Sequence, residues 1–172
     1  DALMSEGAAK RVVAAMQAHA NDDVEVACFG CAVIESLAHS ENAADARASE
    51  RRDALMSEGA AKRVVAAMTA HANDDANVAR NGCGAIGSLA RGVNAADAKA
   101  SERCDALMSE GAAKRVVAAM QAHANDDAKV AHAGCAAIAS LARSVNAVDA
   151  KASERRDALM SEGAAKRVVA AM

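Results

Sequence analysis

Apolar residues recur every three to four positions along most of the chain, the spacing that keeps them on one side of an α-helix. In residues 24–38 this side holds Val26, Ala27, Gly30, Cys31, Ile34, Leu37 and Ala38. Three kinds of break interrupt the pattern. Gly7 separates two alanine-rich stretches, as a glycine just past a helix C-terminus does. Asn21-Asp22-Asp23 supplies side chains that accept from the free N–H groups of a helix start, which predicts a helix from about residue 23 to Ala38. After the third break, at Ser40 to Asn42, a long charged segment predicts a helix over Asn42–Glu58, ending in the buried-looking pair Leu55 and Met56.

These elements repeat. The segment DALMSEGAAKRVVAAM occurs at 1–16, 53–68, 105–120 and 157–172, a period of 52. The chain is therefore expected to be one continuous array over 1–172: units 1–52, 53–104 and 105–156, then a partial unit 157–172. Each full unit contributes three helices, with glycine between the first and second. Proline is absent, and Ala, Leu, Met, Lys, Arg and Glu all favour helix, so the expected class is all-α.

The helix order, the glycine between the first two helices, and a third helix ending in Ile34-Glu35-Ser36-Leu37-Ala38 resemble the armadillo repeat across the whole chain. The resemblance implies a right-handed α-solenoid of three-helix armadillo-like repeats, whose third helices line a concave groove for extended peptides. The 52-residue unit exceeds the typical ~40–47 residues and marks a variant. In peptide-binding members the third helix carries an Asn that grips the ligand backbone and a Trp one turn earlier. Here those positions hold Ser36, Ser88 and Ser140, and Ala32, Gly84 and Ala136, so the groove is implied without that grip.

The units differ at fourteen columns, ten of them within the eighteen columns 24–41. The variable columns 25, 28, 29, 32, 35 and 39 fall together on the side opposite the constant apolar one. This stripe reads Glu25, Cys28, Phe29, Ala32, Glu35, His39 in unit one; Asn77, Arg80, Asn81, Gly84, Gly87, Arg91 in unit two; Lys129, His132, Ala133, Ala136, Ala139, Arg143 in unit three. A solvated face free to drift would vary in the same way. Asp45, Ser49, Glu50 and Arg51, which read as exposed on the charged first helix, nevertheless stay fixed, and this contrast favours a diversified recognition face. The constant Ser36, Ser88 and Ser140 adjoin the stripe, where each either hydrogen-bonds a ligand backbone or returns its hydroxyl to the preceding helical turn.

Other candidate chemistry has simpler readings. Cys28 and Cys31 form a single C-x-x-C without the second ligand pair of a structural zinc site, and Cys31, Cys83 and Cys135 recur as small core residues. His19, His71 and His123 stand where histidine caps the last carbonyls of the second helix. Near-identical units offer no distinct pocket with nucleophile, base and oxyanion donors. No catalytic residue, metal ligand or cofactor is assigned.

A net charge of −3 and pI near 6.0 lack the basic excess of a nucleic-acid-binding domain. The absence of Trp and Tyr removes stacking platforms. The leading expectation is a non-enzymatic scaffold for a protein or extended peptide, acidic over units two and three, where the stripe turns basic. Single-stranded nucleic acid is the alternative, drawing on Arg80, Arg91, Lys129 and Arg143, and a structural or designed stacking array is a third. Five cysteines without a disulfide framework point to an intracellular, reducing setting, the cytoplasm, and no apolar run reaches the length of a membrane span. Seam surface left open at the two ends leads us to expect head-to-tail self-association or continuation in a longer array. Cys31, Ile34 and Leu37 are expected to be buried, and Glu25, Arg80 and Lys129 exposed.

Overall fold

A computed structural model describes Met4, 6–40, 45, 47–92, 97, 99–143, 149 and 151–170. The protein is all-helical: ten α-helices and no strand occur among the described residues. They are α1 Ala8–His19, α2 Val24–Ala38, α3 Arg47–Ser57, α4 Ala60–His71, α5 Ala76–Ala90, α6 Ala100–Ser109, α7 Ala112–His123, α8 Ala128–Ala142, α9 Ala152–Ser161 and α10 Ala164–Ala170.

Local chemistry sets the boundaries. Asp23 Oδ1 accepts from the N–H groups of Glu25 and Val26 at 2.9 and 3.1 Å, and Asp75 and Asp127 cap α5 and α8 in the same way. Gly59 and Gly111 sit between consecutive helices at φ 90°, a left-handed conformation that disfavours a side chain. The charged first helix is shorter than expected. Asp45 is non-helical and α3 starts at Arg47; residues 42–44 and 46 of the expected Asn42–Glu58 helix lie outside the described residues. Asp45 is committed elsewhere, its carboxylate accepting from the Arg47 N–H and from Arg51.

Equivalent helices lie against one another. α5 packs between α2 and α8; α1, α4, α7 and α10 adjoin in order, as do α3, α6 and α9. Small residues permit the approach. Gly30, Gly82 and Gly134 leave room for the side chains of Met16, Met68 and Met120, and a Cβ on Gly87 would stand 3.3 Å from Ala137 Cα. The core holds those methionines with Ile34, Ile86, Leu55, Leu107, Leu89 and Leu141. Burying each such large side chain contributes about 1.5–3 kcal/mol. Cys31 and Ile34 are fully buried as expected, whereas Leu37 is only half-buried.

Candidate functional site

The third helices α2, α5 and α8 carry the variable stripe, and neighbours decide how much of it reaches solvent. Glu25 and Phe29 are exposed on α2 and His39 just past its end, while Cys28 and Glu35 are half-buried. On α8, Lys129 and His132 are exposed, as is Arg143 just past its end. α5 differs because it is covered on both flanks. Asn77 and Arg91 are exposed and Arg80 is half-buried rather than exposed, but Asn81 and Ser88 are buried and unavailable to a partner. The Asn81 amide donates across the seam to the Cys28 carbonyl (3.2 Å) and lies 3.3 Å from its Sγ, while Asn81 Oδ1 accepts from Arg80 Nε at 3.1 Å. Variable residues of two units therefore hold one another in place.

The serines divide. The Ser36 hydroxyl donates to the Ala32 carbonyl at 2.9 Å, the intrahelical bond rather than a free donor aimed at a ligand. Ser88 is buried in the seam and Ser140 half-buried.

Stripe residues from three units meet in one cleft of about 370 Å³, lined by Glu35, Arg80, Ala128, Lys129, His132 and Ala133. The Glu35 carboxylate folds over Gly84, where any Cβ would collide with it. Burial raises the Glu35 pKa from its ordinary value, opposed by the charges of His39 and Arg80. The cleft brings charged groups on α2, α5 and α8 together.

The fixed columns of the first helix have a different explanation from the one their sequence suggested. Arg103 is buried: Nη1 donates to Asp53 at 2.6 Å, Nη2 to Asp97 at 2.7 Å, and Nε to the Leu89 carbonyl at 3.2 Å. Arg155 repeats this set with Asp105, Asp149 and Leu141, and Arg51 holds Asp45 and the carbonyls of Leu37 and His39. The Ser49 and Ser101 hydroxyls donate to Asp97 and Asp149, both at 2.8 Å. Asp45, Ser49 and Arg51 are thus fixed because each unit clamps the C-terminus of its own third helix and ties itself to the next unit. Only Glu50, among the four columns, is exposed and constant. The contrast between variable and constant exposed columns is correspondingly narrower, and support for a recognition face rests on the cleft.

Histidine also acts between units. His71 and His123 Nε2 lie 3.0 Å from the Ala20 and Ala72 carbonyls, so each meets the end of the preceding unit's second helix rather than its own. Shallow clefts around Asp53, Lys99, Glu102 and Arg103, and their copies one unit on, contain cations already paired with Asp53 and Asp105.

At the next column, Arg52 is fully buried. Its Nε donates to the Ala38 carbonyl at 2.9 Å, but Nη1 has no hydrogen-bond partner among the described residues. Burial, reinforced by nearby Arg103, pulls its pKa down to about 10. The equivalent Cys104 is neutral and buried. No group of three or more metal-ligating side chains occurs among the described residues, and no described helix is long and apolar enough to cross a membrane. The chain matches no family model, curated protein or solved structure.

Proposed function

We propose that the protein is a right-handed α-solenoid of three-helix, armadillo-like units that binds another protein or an extended peptide along the open part of the α2, α5 and α8 face, without catalysis. The observation that carries this reading is the convergence of variable residues from three units on the cleft of Glu35, Arg80, Lys129 and His132. A regular stack with constant seams and variable open positions provides an extended surface whose specificity can change unit by unit. Asn81 and Ser88 belong to the seam, so the binding set is reduced to Glu25, Cys28, Phe29, Glu35, Ser36, His39, Asn77, Arg80, Arg91, Lys129, His132, Ser140 and Arg143.

The test is affinity capture with the intact chain, with and without nuclease, followed by binding of the recovered, purified partner to charge-reversed variants. Arg80→Glu with Lys129→Glu is expected to weaken the partner, while helicity is retained. Lys10→Glu with Lys62→Glu, at exposed positions off the stripe, is expected to have much less effect. Arg51 is unsuitable as an off-stripe control because its side chain holds the end of α2. Equal weakening by both pairs would refute the stripe as the recognition face, and nuclease-sensitive recovery would favour single-stranded nucleic acid.

A further inference from the structure

Building on the peptide-binding reading, we propose that the cleft between α2, α5 and α8 is the anchor subsite of the face, and that it takes a carboxylate-bearing side chain of an acidic peptide. The lining supplies two basic side chains, Arg80 and Lys129, with His132 beside them and one carboxylate, Glu35. Glu35 and Arg80 are half-buried, whereas Lys129 and His132 are exposed at the mouth. Lys129 has no ion-pair partner among the described residues. Arg80 is not a loosely held surface cation: its Nε is bonded to Asn81, which is itself tied to Cys28 across the seam. A guanidinium fixed in this way loses less side-chain freedom on meeting a carboxylate. The first N–H groups of α8 already bind Asp127, so recognition falls to the side chains and not to the helix end.

Glu35 sets the selectivity. Its carboxylate partly neutralises Arg80 and repels an incoming acid, while Gly84 gives it the space to lie against α5. A ligand carboxylate is therefore drawn toward Lys129 and His132 and completes the pairing of Arg80. The groups facing Glu35 are His39 at the end of α2, Arg80 on α5, and Lys129 and His132 on α8.

A labelled oligoglutamate peptide tests the assignment, with oligoglutamine as its uncharged counterpart and fluorescence anisotropy as the readout. Oligoglutamate is expected to bind the intact chain and oligoglutamine to bind much less. Charge-assisted hydrogen bonds of this kind correspond to about tenfold in affinity, so Lys129→Gln and Arg80→Gln should each weaken oligoglutamate by about that factor. Glu35→Gln should strengthen it. Arg91→Gln, which removes an exposed stripe cation outside the cleft, should change affinity less than about twofold. Failure of oligoglutamate to bind, equal losses from Arg91→Gln and Lys129→Gln, or no gain from Glu35→Gln would each overturn the subsite. The broader stripe is judged separately, by the purified partner's response to the charge reversals above.

Discussion

At the scale of single residues, burial separates chemically similar side chains. Cys31 and Cys83 are fully buried, and desolvation pushes both thiols up to about 12; Cys104 is raised to about 11 by the same cause. Thiolate is the reactive species, so these three are held in an inert form at neutral pH. Cys28 and Cys135 are half-buried. Alkylation of the native protein, followed by peptide mass mapping, is expected to modify Cys28 and Cys135 first, with Cys31, Cys83 and Cys104 reacting only on unfolding. Early modification of Cys83 would contradict the packing of α5. Cys135 also shows how position alters a constant column: it shares the Cys31 and Cys83 pattern in sequence but retains an open flank.

At the scale of elements, the decisive interaction is the clamp from the first helix to the end of the third. The last carbonyls of a helix lack intrahelical donors. Arg103 supplies donors to Leu89 and Arg91 while pairing with Asp97 and Asp53, and Arg155 does the same one unit later. Removing one member of such a buried network leaves the other charges uncompensated, which costs about 3–5 kcal/mol. Arg103→Met is expected to lower stability by that order in urea unfolding, with Lys99→Met, an exposed partner of Asp53, changing it by about 0–1 kcal/mol. A small Arg103 effect would show that the clamp is dispensable. Column 52 lacks this compensation, since Arg52 is charged, buried and incompletely bonded where Cys104 is neutral.

At the scale of the molecule, charge is distributed unevenly along the proposed binding face. Glu25 and Glu35 lie in unit one, whereas Arg80, Arg91, Lys129 and Arg143 lie in units two and three. Their summed field extends over a Debye length of about 8–10 Å at ordinary ionic strength and is expected to draw an acidic ligand toward the basic end. The association rate of labelled oligoglutamate, followed by stopped-flow fluorescence, should fall as salt rises while the dissociation rate changes less. A rate independent of salt would mean that the face does not steer its ligand. Phe29 and Val33, exposed at 67% and 43%, occupy columns whose equivalents Asn81 and Ala85 are buried in the seam.

The sequence by itself determined the helices, because capping aspartates, left-handed glycines and the spacing of apolar residues act within a few positions of one another. It also determined the 52-residue repeat and the constant apolar side of each third helix. It did not determine which polar residues face water. Asp97 and Arg103 look like a solvated helical charge pattern, yet both are buried because Asp53, fifty residues away, pairs with Arg103 and Ser49, forty-eight residues away, donates to Asp97. Helical periodicity likewise put Asn81 beside Arg80 on the stripe, but the approach of α2 encloses one and leaves the other at the cleft. Only tertiary packing could divide them, since exposure is a property of neighbouring helices and local sequence carries no record of the distance between them.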